Sequence, residues 1–157
     1  MAETCLEELV VDRVFTRGFT ITTAESCTGG LVAATLINIS GASDVLDSGY
    51  ITYSNEAKEK LLGVSHETLK KYGAVSEQTA VEMAQGAARA AEADVAISTT
   101  GIAGPGGGTR EKPVGLVYIG CYIQGTVYTR KCNLPGERKE VREAAVKEAL
   151  TLLLEHL

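Results

Sequence analysis

Apolar residues along the chain alternate between the spacing of a helix and the spacing of a buried strand. In residues 3–16 they recur every three or four positions, which predicts a first helix that Gly18 ends. The β-favouring residues 19–24 predict a first strand, and the apolar residues 31–37 predict a helix soon after it. The same reasoning predicts four further strands, near residues 48–53, 94–99, 114–123 and 126–132.

Turn and capping residues divide the remaining chain into helices and a hairpin. Gln124-Gly125 predicts the turn of an antiparallel hairpin, and Pro135-Gly136 predicts the start of a final helix with an apolar stripe. Three more helices are predicted to follow capping residues: Asn55 before residues 56–62, Ser65 before residues 66–72 and Ser76 before residues 77–92.

The order of these elements predicts an α/β fold. Helices alternate with the early strands and the hairpin comes late. We therefore expect a three-layer α/β/α sandwich with a mixed, mostly parallel sheet and a late antiparallel hairpin. No linker, internal repeat or low-complexity tract interrupts the pattern, which predicts a single domain over residues 1–157.

Composition and charge argue against several classes of function. The net charge of −5 disfavours a general nucleic-acid binder or a protein of anionic membrane surfaces. The first ten residues lack a basic segment followed by a long apolar run, which predicts no signal peptide and a cytoplasmic protein. The four cysteines form no C-x-x-C pair and there are only two histidines, so we expect reduced thiols and no zinc site.

Three polar clusters follow predicted strands, which is where α/β proteins bind their ligands. They are the turn around Ser26, residues 53–58 and residues 98–108. Because the carboxyl ends of parallel strands lie at one edge of a sheet, we expect the three clusters to converge on one site.

The turn around Ser26 holds the clearest candidate nucleophile. Ser26 and Cys27 offer a hydroxyl and a thiol. The amides of Thr28, Gly29 and Gly30 would lie near a helix N-terminus and are candidate donors to a substrate anion or a developing oxyanion. The competing interpretation is an ordinary strand-to-helix turn with Thr28 as N-cap, and the local sequence leaves both open.

The glycine-rich residues 101–108 are a second candidate binding element. They lack the Lys-Ser/Thr ending of a P-loop, and no helix follows them as a dinucleotide fingerprint requires. The backbone of Gly101, Ile102, Ala103 and Gly104 stays a candidate cradle for substrate. A plain surface loop has a similar composition and remains the alternative.

Two arginines near the start of the last helix are candidate phosphate ligands. Arg138 and Arg142 lie four residues apart, where cations oppose the helix dipole unless an anion neutralises them. The alternative is a pair of solvated ion pairs with Glu137 or Glu143.

A serine nucleophile would need a base other than histidine. His66 is predicted to lie exposed in the first turn of a helix and His156 near the carboxyl terminus, which gives little support to a Ser-His-Asp triad. Lysine is the available alternative, because a Ser-Lys dyad works when the amine is kept neutral.

Five motifs, in the same order over nearly the whole chain, resemble those of the CinA C-terminal domain family: TTAESCTGG (22–30), YSNEAK (53–58), GAVSE (73–77), GIAGPGG (101–107) and KPVG (112–115). This family includes stand-alone nicotinamide-nucleotide amidohydrolases. The resemblance implies an α/β/α domain, often a homo-oligomer, that hydrolyses the carboxamide of nicotinamide mononucleotide. The products would be nicotinate mononucleotide and ammonia, as in pyridine nucleotide salvage, with no metal or other cofactor.

The resemblance also implies roles for three side chains. Ser26 falls on the serine of the first motif and would be the nucleophile, Lys58 would be its base, and Tyr53 would orient one of them. A free lysine amine has a pKa near 10.4, so Lys58 must be buried for its pKa to fall. We therefore expect a buried Lys58 amine within hydrogen-bond reach of the Ser26 hydroxyl, and a solvated Lys60.

Three alternatives to a serine amidase remain open. The first is a regulatory module of the same fold that binds a nucleotide without hydrolysing it. The second is a cysteine hydrolase that uses Cys27, although no histidine is placed to activate the thiol. The third is a structural oligomerisation domain. The partners expected for the amidase are a small nucleotide and further copies of the chain, with no nucleic acid and no membrane.

Overall fold

A five-stranded sheet lies between two layers of helices in the computed structural model, which describes residues 3–157. The strands are β1 (Ile21–Glu25), β2 (Tyr50–Ile51), β3 (Val95–Gly101), β4 (Leu116–Ile123) and β5 (Thr126–Asn133). The helices are α1 (Leu6–Thr16), α2 (Leu31–Leu36), α3 (Asn55–Leu62), α4 (His66–Tyr72), α5 (Glu77–Ala91) and α6 (Arg138–His156).

The strand order is β2-β1-β3-β4-β5. β1 pairs in parallel with both β2 and β3, and Glu25 lies opposite Thr99 in the second of these pairings. β3 with β4 and β4 with β5 are antiparallel. The three-layer α/β fold is therefore confirmed. The parallel and antiparallel pairings are equal in number, so the sheet is more evenly mixed than expected.

Three helices lie on each side of the sheet. On one face α1, α2 and α6 enclose a large apolar cluster that contains Val95 and Ile97 of β3. On the other face α3, α4 and α5 cover a smaller cluster that contains Ala24 and Ala96. Successive residues of β3 thus enter different layers, because side chains alternate across a strand. Ala24 and Ala96 have small side chains, which lets α5 pack close to the sheet.

Two local predictions are confirmed by the backbone. Ser76 accepts a hydrogen bond from the Thr79 amide and caps α5. Gln124 and Gly125 have φ angles of 47° and 97°, the left-handed pair that a tight two-residue hairpin requires.

Helix boundaries near the predicted site differ from those expected. Ser54, one residue before Asn55, caps α3, and its hydroxyl oxygen accepts from the Ala57 amide. Thr28 does not cap α2. The N-cap of α2 is Gly30, whose φ of 103° suits glycine. A Cβ at this position would contact the Ile51 side chain of β2. Thr28 is turned inward instead.

The second strand is shorter than the predicted residues 48–53. β2 has only two residues, at the edge of the sheet, and Leu46 makes only an isolated bridge with Ile21. The Thr52 amide still donates to the Glu25 carbonyl at 2.8 Å. Backbone pairing therefore continues beyond β2 to the point where α3 begins.

α6 carries the apolar stripe that the sequence predicts. Val141, Ala145, Ala149 and Leu153 are fully buried against the sheet and α1. None of the helices within residues 3–157 is long and apolar enough to cross a membrane.

Gly86 lets α3 and α5 approach backbone to backbone. It is buried in the middle of α5, and a Cβ at this position would overlap the carbonyl of Leu62, the last residue of α3. Glycine is therefore required by contact with the helix that carries Lys58.

Gly86→Ala is expected to lower the free energy of unfolding by about 1–3 kcal/mol, because the added methyl group must displace α3. In an exposed helix the same change would stabilise by about 1 kcal/mol. Urea unfolding measures the difference. Gly106→Ala is the control, since no atom lies within 4 Å of its added Cβ. An unchanged or raised stability in Gly86→Ala would contradict the close helix contact.

Candidate active site

The side chains of Ser26 and Lys58 meet in the interior. Ser26 directly follows β1, and Lys58 lies in the first turns of α3. The Lys58 amine donates to the Ser26 hydroxyl oxygen at 2.9 Å and to the Thr52 carbonyl at 2.8 Å. Only 1% of Lys58 is exposed. The buried amine expected within hydrogen-bond reach of Ser26 is therefore present, and Lys60 is exposed as predicted.

Burial weakens the basicity of this amine. It lowers the pKa of Lys58 from 10.5 to about 8, while a negative charge on the neighbouring Cys27 would act in the opposite direction. Burial also raises the pKa of the Cys27 thiol to about 11. At neutral pH the thiol is thus protonated, and a useful fraction of Lys58 is neutral.

The position of Lys58 follows from the local sequence of α3. With Ser54 as N-cap, Lys58 and Leu62 are one turn apart and are the two buried side chains of the helix. The first turn of a helix disfavours an ammonium ion, which adds a small contribution to that of burial. The Lys58 stem can occupy an apolar position while its amine reaches the end of β1.

Glu25, immediately before Ser26, is a fully buried carboxylate that sequence reasoning missed. It accepts hydrogen bonds from the hydroxyls of Thr23 and Thr28 and from the amides of Val32 and Ala33. The available signal was a glutamate at the carboxyl end of a central strand, next to threonines that could donate to it, because a buried carboxylate must find several donors.

One of the three predicted backbone donors near Ser26 is already used within the turn. The Gly29 amide donates to the Ser26 carbonyl, and the first amides of α2 donate to Glu25. No backbone oxygen within residues 3–157 accepts a hydrogen bond from the amides of Cys27, Thr28 or Gly30. The amides of Cys27 and Thr28 directly follow Ser26 and are therefore the candidate donors to an oxyanion.

Ser26 and Lys58 open onto a cleft of about 300 Å³. The cleft brings together most of the candidate site residues, with the third polar cluster forming its far wall. Its lining includes Ser26, Cys27, Tyr53, Asn55, Lys58, Thr100, Gly101, Ile102, Ala103, Gly104 and Arg138. Thr28, Gly29, Gly30 and Arg142 do not line it.

Arg138 joins two sides of the cleft. Its guanidinium donates to the Gly104 carbonyl at 2.7 Å and to the Tyr53 hydroxyl at 3.0 Å. Tyr53 is 64% exposed and its hydroxyl contacts neither Ser26 nor Lys58. The Tyr53 ring extends outward to the arginine, so its expected role in orienting Ser26 or Lys58 is not supported by a direct hydrogen bond.

Arg142 is directed to the backbone of the Ser26 turn. Its guanidinium donates to the carbonyls of Cys27 and Thr28 at 3.0 and 2.9 Å. The two candidate phosphate ligands are thus separated, with Arg138 at the cleft and Arg142 supporting the turn. The alternative ion pairs are also missing within residues 3–157, since Glu143 pairs with Lys139 and Glu137 caps α6.

The histidines lie away from the cleft. The His66 side chain is 74% exposed beside Glu59, and His156 stacks on the ring of Tyr128. Neither can act as a base for Ser26 in this geometry. Among residues 3–157 no three His, Cys, Asp or Glu side chains are grouped so that they could hold a metal ion.

Comparison with known proteins identifies the family. Residues 3–157 match the family model of the CinA C-terminal domain. A CinA-like protein of Kosmotoga olearia is 55% identical over 150 residues, which are 96% of this chain and 36% of that protein. The chain therefore belongs to the CinA C-terminal domain family, and it spans about a third of the length of this curated relative.

Solved structures share the fold over the whole chain. A competence/damage inducible protein from Agrobacterium tumefaciens is 43% identical and superposes with a TM-score of 0.93, covering 99% of this chain and 98% of that one. A CinA superfamily protein from Escherichia coli is 39% identical with the same TM-score, covering 100% and 94% of the two chains.

Lys58→Met is expected to raise the free energy of unfolding at pH 7, because it removes an amine whose charged form the fold disfavours. The lowered pKa sets an upper limit of about 3 kcal/mol, and loss of the bond to the Thr52 carbonyl reduces the gain. Between about pH 8 and pH 10.5 the unfolded wild type binds more protons than the native state, so wild-type stability rises with pH.

The advantage of the Lys58→Met variant should therefore be largest below about pH 8 and shrink towards pH 10.5. Urea unfolding across this pH range provides the measurement. Lys60→Met is the matched control on the exposed side of α3 and should show no such pH dependence. A constant advantage from pH 7 to pH 10 would show that Lys58 is not the buried weak base described above.

Proposed function

We propose that this member of the CinA C-terminal domain family hydrolyses the carboxamide of nicotinamide mononucleotide to nicotinate mononucleotide and ammonia. The observation that carries the proposal is the 2.9 Å contact between the Ser26 hydroxyl and the buried Lys58 amine. A hydroxyl paired with a lysine of lowered pKa is suited to attack an amide. The choice of substrate rests on the sequence motifs, which resemble those of the amidohydrolases of this family.

The first half of the reaction forms an acyl-enzyme. Neutral Lys58 takes the proton of Ser26 as Oγ attacks the carboxamide carbon. The carbonyl oxygen becomes an oxyanion, which the amides of Cys27 and Thr28 would stabilise. Lys58, now an ammonium, returns the proton to the departing nitrogen, so that the C–N bond breaks and ammonia leaves.

The second half releases the acid. A water molecule gives a proton to Lys58 and attacks the acyl carbon, forming a second oxyanion at the same amides. Collapse of this intermediate breaks the ester bond, and the proton on Lys58 returns to the Ser26 oxygen. The product forms as a carboxylic acid and loses its proton to solvent at neutral pH, so nicotinate carries a negative charge that the substrate carboxamide lacked.

Arg138 is the side chain suited to hold the nucleotide phosphate. It lies at the cleft, where its partners are a neutral carbonyl and a hydroxyl that a phosphate could replace. The amides of Ala103, Gly104 and Gly107 have no acceptor within residues 3–157 and could add donors. In a chain of net charge −5, attraction for a phosphate must come from such local groups.

Ser26 is favoured over Cys27 as the nucleophile. The two side chains are adjacent, but the hydroxyl receives the lysine bond and the thiol is held protonated by burial. A cysteine hydrolase needs a thiolate, which burial disfavours here. Cys27 would therefore contribute its backbone amide to the reaction, and its side chain would not react.

Ser26→Ala should lower ammonia release from nicotinamide mononucleotide by several orders of magnitude while substrate still binds. Cys27→Ala keeps the backbone donors and should retain activity within about tenfold.

In the wild type kcat/KM should rise with pH and level off above about pH 8, because Lys58 must be neutral to act as a base. Coupled ammonia detection and binding calorimetry give the readouts.

Ammonia release by Ser26→Ala at the wild-type rate would reject this nucleophile. Binding of the nucleotide by the wild type without any ammonia release would instead favour the non-catalytic binding module.

Arg138→Ala should weaken binding of nicotinamide mononucleotide by about tenfold or more, because a charge-assisted hydrogen bond to phosphate is lost. Binding of free nicotinamide, which has no phosphate, should change little. Lys139→Ala is the neighbouring control, since the Lys139 side chain is 85% exposed and does not line the Ser26 cleft. Calorimetry with both ligands tests the difference, and equal losses for both would argue against a phosphate contact.

A further inference from the structure

We infer that Glu25 is a positioning residue that holds the Ser26 turn in its reactive geometry. Its carboxylate would act through the turn that follows β1, without contact with the substrate. The inference rests on the proposed function for the role of Ser26, but its structural part concerns the turn alone. Four hydrogen bonds to one fully buried side chain carry it.

The two carboxylate oxygens have different partners. Oε1 accepts from the Thr28 hydroxyl at 2.6 Å and the Val32 amide at 2.7 Å. Oε2 accepts from the Thr23 hydroxyl at 3.1 Å and the Ala33 amide at 3.0 Å. Each oxygen therefore serves one helix amide and one hydroxyl. The arrangement satisfies the first turn of α2 from inside the protein.

A carboxylate is the only side chain of this length that can satisfy both amides. A glutamine has one oxygen and one NH₂ group, so in either orientation its NH₂ would face the N–H of Val32 or Ala33. Two donors would then face each other in the interior, and one amide would lose its acceptor. Glu25→Gln, although nearly identical in shape, should therefore displace the turn.

The carboxylate also sets the direction of a hydroxyl chain. Because it only accepts, the Thr28 hydroxyl must donate to it. The single Thr28 proton is then used, so in the 2.7 Å contact with Thr99 the donor is Thr99. The Thr99 carbonyl also accepts a hydrogen bond from the Ser26 amide, which links the nucleophile to the same network.

The main chain of Glu25 extends this support to the base. Its carbonyl accepts from the Thr52 amide at 2.8 Å, and the Thr52 carbonyl accepts from the Lys58 amine at 2.8 Å. The side chain of Glu25 thus fixes the turn of the nucleophile, and its backbone fixes the segment that holds Lys58. A displacement of about 1 Å between reacting groups can cost about 10²-fold in rate.

The test compares Glu25→Gln with the wild type by two measurements. The first is amide hydrogen exchange, with residues 26–36 compared with β3 and β4. The second is the rate and the final extent of Ser26 labelling by a fluorophosphonate. Thr22→Val is the matched control, because Thr22 is a buried threonine of β1 whose hydroxyl bonds to the Ser48 carbonyl outside this network.

In Glu25→Gln we expect exchange at residues 26–36 to rise by at least about tenfold while β3 and β4 keep their protection. The rate of Ser26 labelling should fall by about 10²-fold, and labelling should still reach completion. A misfolded fraction would instead lower the final extent of labelling. Thr22→Val should match the wild type. Local exchange and a labelling rate in Glu25→Gln equal to those of Thr22→Val would overturn the inference.

If Glu25→Gln does not fold, Thr28→Val decides, because it cuts the side-chain link between the carboxylate and the turn. Slower labelling with intact protection of β3 and β4 supports the inference, and labelling at the wild-type rate overturns it. If the wild type neither labels nor releases ammonia, the proposed function is rejected. The exchange at residues 26–36 still decides whether Glu25 holds the turn.

Discussion

The central constraint on this protein is that a lysine amine is buried with only neutral partners. Lys58 is 1% exposed and its amine bonds to the Ser26 hydroxyl and the Thr52 carbonyl, with no ion pair in the described chain. Such a group costs stability when charged, so the surrounding packing must enforce it. The close contact of α3 with α5 at Gly86 is part of that packing.

The side chains of Glu25 and Lys58, both buried and ionisable, share no hydrogen-bond partner. The donors to Glu25 are amides and hydroxyls, and the acceptors of Lys58 are a carbonyl and a hydroxyl. A direct contact between them would raise the pKa of the lysine and remove its capacity as a base. Their separation therefore allows a buried carboxylate to organise the turn while the amine remains weakly basic.

The sheet topology brings the hydrogen-bond partners of Glu25 and Lys58 to the same region of the protein. β1 lies between β2 and β3, and all three are parallel, so their carboxyl ends lie at the same edge. Backbone hydrogen bonds continue this pairing beyond the strands, from Ser26 to Thr99 and from Thr52 to Glu25. The spacing of nucleophile and base is thus set largely by backbone pairing, which is more rigid than a loop would be.

The sequence by itself determined the features that depend on neighbouring residues: the helical and strand periodicities, the Ser76 cap and the tight turn at Gly125. Motifs that resemble those of a known family also indicated the serine and the lysine that meet in the interior. Only the tertiary structure decided that Glu25 holds the turn, that Arg142 supports the same turn and that Tyr53 reaches outward. Periodicity and capping act within a few residues, whereas the partner of a polar side chain depends on backbone that arrives from distant parts of the chain.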